Sequence, residues 1–294
     1  MSVLLDPLRA LGAALTPAVI EGTYAALTRH RTRFDPATTR ADVDLAYGPH
    51  RRNRLDLYRP LGRALPDTVV LYVHGGGFAA GDKGGPGAPF FANIGAWAVA
   101  QGLIGAAMSY RLVPEARWPS GAEDIAAAVE FLAGGAGHLL TDTPRLVLVG
   151  QSAGAIHIAD YLAGRGGAVH RAVRGAVLMS GIYDFTRHDR LPFEEGYFGA
   201  DPAGFAAQST LDALTDCDRP LMFTVSELDP PAFQRQAALV VEAGLARRGV
   251  WPRMHWLAGH NHLSPALFLG ADGDRVGPEI AAFVRNCAEA GQVP

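Results

Sequence analysis

Lysine is almost missing from this chain: Lys83 stands alone, and every other basic residue is arginine. The arginines form no stripe. Their densest spots, Arg51-Arg52 with Arg54 and Arg247-Arg248, are short, and the net charge is −3. That removes the electrostatic footprint a nucleic-acid partner requires. Cysteine is scarce as well. Cys217 and Cys287 lie far apart without metal-type spacing, so two free thiols are expected instead of a disulfide framework. Long apolar runs are also lacking, and none approaches the roughly 18 residues of a membrane-crossing helix. Near the N-terminus, residues 11–20 are mostly apolar, but Asp6 and Pro7 precede them and Thr16-Pro17 interrupt them. A secretory leader would carry positive charge there. An amphipathic surface helix and a cytoplasmic protein are the expectation, with no membrane insertion.

What is present suits a globular protein: 49% apolar and 19% charged residues over 294 positions, with no internal repeat. Residues 1–45 read as helical and polar on one side. From there, short β-type runs alternate with helical stretches. The runs at 54–58, 68–73, 103–110, 145–149, 172–179, 220–225 and 251–257 read as strands. Those at 90–101, 122–132, 155–162 and 232–248 have helical spacing. Such alternation predicts an α/β protein with a mostly parallel sheet and helices on both faces, its site at the carboxyl ends of the strands. Residues 184–218 break the pattern: they are polar, turn-rich and carry Phe185, Phe193, Tyr197 and Phe198. We read the chain, residues 1–294, as one domain in which 1–45 and 184–218 form a small cap.

The chemistry concentrates where strands end. After the run RLVLV comes Gly150-Gln151-Ser152-Ala153-Gly154, then a helical stretch. Gly-x-Ser-x-Gly in a strand-to-helix turn is a nucleophile elbow, and composition alone yields only roughly 0.1 chance matches. Its glycines avoid collisions in the tight turn, and the helix that follows lends positive potential to Ser152. Likewise TVVLYV runs into His74-Gly75-Gly76-Gly77-Phe78. Acyl transfer builds charge on a carbonyl oxygen, and preorganised N–H groups stabilise it. Gly76, Gly77 and Ala153 are the predicted donors. Gly75 serves the turn, and the His74 ring supports the loop. The stretch 81–87 that follows is glycine-rich, which suggests mobile backbone near the entrance or a plain solvated loop.

A serine nucleophile needs a histidine base and a carboxylate that orients it, following the serine as acid and then histidine. His157 sits in the helix behind the elbow, His170 and His188 come too early, and His255 lies inside a strand pattern. Gly259-His260-Asn261-His262 remains, with His262 favoured as base over His260. The run PLMFTV ends at Ser226-Glu227-Leu228-Asp229, and Asp229 is preferred as acid over Glu227.

Together, HGGGF, YRLVPE (residues 110–115), GQSAG, SELDP and the last histidine loop resemble the hormone-sensitive lipase group of α/β-hydrolases, which includes bacterial carboxylesterases. The SGIYD and YFGADP segments add to the likeness, which spans residues 50–290. Two positions depart from that group: Gln151 stands where Asp is common, and GHNHL replaces a single histidine. The resemblance implies the α/β-hydrolase fold and a carboxylesterase acting on a small-molecule ester of short to medium acyl chain. It needs no metal or organic cofactor and is compatible with a homodimer. Kynurenine formamidases look similar across the same motifs, so an arylformamidase or other amidase is the alternative. A hydrolase-like binding protein without activity is a third reading.

Overall fold

Alternate side chains of a strand face opposite sides of a sheet, and in residues 68–73 both sides are apolar. The computed structural model, which describes residues 6–289, buries both. Its strands are β1 (Thr39–Ala46), β2 (Arg54–Pro60), β3 (Thr68–Val73), β4 (Ile104–Met108), β5 (Arg145–Gln151), β6 (Val173–Met179), β7 (Leu221–Leu228) and β8 (Met254–Asn261). They form one eight-stranded sheet in the order β1-β2-β4-β3-β5-β6-β7-β8. The pairs β1–β2 and β2–β4 are antiparallel, and every other pair is parallel.

Helices cover both faces, as a mostly parallel sheet demands. In chain order they are α1 (Asp6–Leu11), α2 (Pro17–Thr28), α3 (Ala92–Ala100), α4 (Ser120–Ala133), α5 (Ala153–Leu162) and α6 (Pro192–Phe198). Then come α7 (Phe205–Gln208), α8 (Leu211–Thr215), α9 (Pro231–Arg248), α10 (Ser264–Leu267) and α11 (Val276–Glu289). On one face Ile125 and Val129 of α4 and Ile158 of α5 pack with Leu71 and Leu148. On the other, Ile94 and Trp97 of α3 and Ile280 and Val284 of α11 pack with Val70 and Val147. Each such side chain contributes roughly 1.5–3 kcal/mol on burial, so this double core fixes the strand ends in space.

Two expectations about elements need correction. Residues 39–46 are the edge strand β1 and not part of a helical segment. β8 runs on to Asn261 instead of stopping at residue 257, so His260 is a strand residue. The glycine-rich stretch 81–87 is anchored. Lys83 is nearly buried, its Nζ lies 2.6 Å from Asp56 and 2.9 Å from Asp44, and its N–H donates to Ser109 Oγ. No described helix is long and apolar enough to cross a membrane.

Candidate active site

Four parallel strands of the sheet deliver one candidate residue each at the first position beyond their carboxyl ends. β3 is followed by His74, β5 by Ser152 and β7 by Asp229, while β8 is followed by His262. The elbow glycines are fixed by close contact. A Cβ on Gly150 would stand 2.6 Å from the backbone of Gly154, and one on Gly154 only 2.1 Å from the carbonyl oxygen of Val73. Ser152 itself adopts φ 55° and ψ −122°, a region that costs a non-glycine residue roughly 1–3 kcal/mol. Its N–H donates to Met179 O of β6 at 2.8 Å, which holds the turn against the sheet.

Ser152 Oγ lies 2.8 Å from His262 Nε2, and His262 Nδ1 lies 2.6 Å from Asp229 Oδ1. A carboxylate only accepts, so Nδ1 carries the ring proton and Nε2 is free to take the serine proton. Asp229 is fully buried, and its other oxygen accepts from the Ser226 N–H at 2.6 Å and from Ser180 Oγ at 2.7 Å. The Phe233 ring of α9 packs 4.3 Å from the His262 ring and limits its rotation. The structure thus brings Ser152, His262 and Asp229 into one hydrogen-bonded chain.

His260 and Glu227, the alternatives weighed from the sequence, are placed elsewhere. Ser226 pairs with Leu257 and Leu228 with Asn261, so β8 carries two extra residues at a bulge that includes Gly259 at φ 78°. Bulges re-aim side chains. His260 packs beside Phe268 with Nδ1 3.0 Å from Ser264 Oγ, and burial lowers its pKa to about 4. Glu227 accepts from Arg9 Nη2 at 3.0 Å and from the Gly259 N–H at 2.6 Å, and these donors hold its carboxyl below the usual range. It ties the N-terminal segment to the bulge.

Gly76 adopts φ 126°, and a Cβ there would meet Ala80 O at 2.1 Å, so the sequence has no alternative to glycine at this bend. Among the described residues, the N–H groups of Gly76, Gly77 and Ala153 donate to no acceptor within the chain. His74 Nδ1 lies 2.6 Å from Gly75 O, and its ring stacks 4.2 Å from Tyr110. Burial lowers its pKa to about 4, which keeps the ring neutral. His157 is enclosed behind the elbow by Phe78, Tyr110 and Tyr197, away from Ser152.

A cavity of about 350 Å³ opens at Ser152 and His262. Its walls are the glycine loop, Phe91, Leu263 and α10 on one side, with Leu15, Ile20 and Tyr24 of the N-terminal segment and Phe193 of α6 on the other. Of the aromatics in residues 184–218, Phe193 lines it, and Tyr24 and Phe91 join it from other segments. Phe78, Tyr197 and Phe198 pack together in a separate cluster, and Phe90 packs with Leu8 and Leu27. The contacts that sequence reasoning missed are mostly in the N-terminal segment, where Thr23 Oγ1 accepts from Asn261 Nδ2 at 2.7 Å. Residues 11–20 gave a signal only through their apolar content. Ser180, which donates to Asp229, lies in the SGIYD segment, where no residue pattern marks this serine.

A model of the prolyl oligopeptidase family matches residues 119–289, and a BD-FAE model matches residues 55–178. The isoprenylcysteine α-carbonyl methylesterase of Arabidopsis thaliana is 32% identical over 115 residues, 39% of this chain and 26% of that protein. The chain spans about a quarter of the length of the curated relatives it matches first. Kynurenine formamidase of Danio rerio is 26% identical over 213 residues, 68% of either chain. A solved esterase of the bacterial hormone-sensitive lipase family superposes with a TM-score of 0.70 at 20% identity, over 97% of this chain and 98% of that one. At that identity the likeness is one of fold, and the fold is that of the α/β-hydrolases.

Proposed function

We propose, for a chain that belongs to the prolyl oligopeptidase family of α/β-hydrolases, that it is a serine hydrolase of uncharged carboxylic esters with short to medium acyl chains. The observation that carries this reading is the unbroken chain Ser152–His262–Asp229, at 2.8 and 2.6 Å, whose Ser152 and His262 line an apolar cavity. As Ser152 Oγ attacks the ester carbonyl, its proton passes to His262 Nε2, and Asp229 stabilises the imidazolium that forms. The N–H groups of Gly76, Gly77 and Ala153 receive the oxyanion. His262 then protonates the leaving oxygen as the C–O bond breaks, leaving Ser152 acylated. Water enters, gives a proton to His262 and attacks the acyl carbon. The acid departs and Ser152 regains its proton.

The walls favour an ester over the formamidase alternative. Among the described residues, no Asp, Glu, Lys or Arg lines the cavity. Kynurenine carries a carboxylate and an ammonium group at neutral pH, and burying either without a partner costs several kcal/mol. Hydrolysis of p-nitrophenyl acetate, butyrate and octanoate, set against N-formylkynurenine and acyl p-nitroanilides, tests the choice. Ester turnover that exceeds amide turnover is expected. Preference for the formyl amide would replace the ester reading, and silence on all of them would leave a binding protein.

A further inference from the structure

We propose that Gln151 is a positioning residue that locks the base to the nucleophile, an inference that rests on the Ser152–His262–Asp229 reading. Gln151 ends β5 and is only 4% exposed. Its Nε2 donates to the backbone carbonyl of His262 at 2.6 Å. A carbonyl only accepts, so the amide must present its NH₂ end there. The other end, Oε1, lies against the oxyanion loop: a Cβ on Gly75 would stand 2.5 Å from it. One side chain thus touches the base residue and the glycine loop while being bonded covalently to the nucleophile's own residue.

The result is a closed ring. Ser152 Oγ meets the His262 ring at 2.8 Å, and the His262 backbone returns through Gln151 to the peptide that precedes Ser152. Asp229 fixes the tilt of the imidazole but does not hold its main chain. That main chain lies just past the bulge, where pairing with β7 has ended at Asn261. Gln151 supplies the missing restraint. The Asp common at this position in the group the sequence resembles is one methylene shorter and, when ionised, has no proton to donate. It would also set a negative charge beside the forming oxyanion. Gln151 is therefore a rewired contact and not a neutral replacement.

The test compares wild type with Gln151→Met, which keeps length but has no donor, and with Gln151→Glu, which keeps shape and donates only when protonated. On p-nitrophenyl butyrate, Gln151→Met should lose about 10- to 100-fold in kcat with KM within about threefold, since a misplacement near 1 Å can cost about 100-fold. Gln151→Glu should be equally impaired near pH 8 and regain activity relative to wild type towards about pH 6, moving its optimum to the acid side. A residue that merely fills space would not move that profile. If Gln151→Met fails to fold, the pH profile of Gln151→Glu decides. A kcat within twofold of wild type in Gln151→Met, or an unshifted optimum in Gln151→Glu, overturns the proposal. Turnover retained in His262→Ala would instead overturn the triad reading, and this proposal with it.

Discussion

On the floor of the cavity, Gly76 and Ser152 are held by backbone, with a missing Cβ at the first and a strained φ at the second. Its roof, made of Leu15, Ile20, Tyr24 and Phe193, is held by side-chain packing and a few polar ties such as Arg9–Glu227 and Asn261–Thr23. Backbone constraint leaves a floor position almost one choice of residue. Packing leaves a roof position many, because volume and polarity are all it must satisfy. The floor thus fits chemistry that tolerates no change, and the roof fits the part that selects a substrate.

The largest expected effect comes from the carboxylate buried beneath the floor. Asp229→Asn should lower kcat by about 10,000-fold, because the amide cannot hold the required tautomer. Glu227→Gln, two residues away, should stay within about threefold, since its partners are Arg9 and Gly259. Equal losses in steady-state assays of the two variants would erase the distinction between them. Next comes the oxyanion loop. Gly76→Ala forces a methyl against Ala80 O, and kcat should fall by about 100- to 1,000-fold, the usual cost of a lost donor.

Changes to the roof should be milder and selective. Phe193→Ala and Ile20→Ala should alter the octanoate-to-acetate ratio of kcat/KM by about tenfold, while kcat on acetate stays within about threefold. A uniform loss on every ester would place these residues in the chemistry and dissolve the contrast with the floor.

The smallest effect concerns stability. Burial lowers the pKa of His74 and His260 to about 4 and of His157 to about 3. Because the folded values lie below the ordinary one near 6.5, the unfolded chain binds protons first as pH falls. Stability is full above about pH 6.5 and is lost on the way down to about 4, by on the order of 2 kcal/mol per histidine at about pH 5. His157→Leu should flatten this slope in thermal melts at pH 5 and 7.5, since neither ring nitrogen has a partner among the described residues. An unchanged slope would mean that His157 does not contribute.

The contrast between floor and roof also explains what was legible in the sequence. GQSAG, HGGGF and the chain order of serine, acid and histidine are backbone and geometry rules written into residue identity, and the structure assembles those residues. In β1, Ala41, Val43 and Leu45 alternate with Arg40, Asp42 and Asp44. The strand lies at the sheet edge with only Thr39 buried, so the alternation is short, weakly apolar and easily taken for part of the polar segment before it. The end of β8 was missed because Ala258-Gly259 has little strand propensity, and the bulge there is what separates His262 from His260. The wall residues Leu15, Ile20, Tyr24 and Phe193 lie in the two segments expected to form a cap, but which of their side chains face the cavity depends on tertiary packing, which no local pattern records.

The central claim is that Ser152 is the nucleophile, and the most direct measurement is covalent labelling with diethyl p-nitrophenyl phosphate followed by mass mapping. The account predicts one diethylphosphoryl group on the peptide that contains Ser152, loss of esterase activity in step with labelling, and neither in Ser152→Ala. Esterase turnover that survives in Ser152→Ala, or a label that settles on another residue as activity disappears, would contradict it.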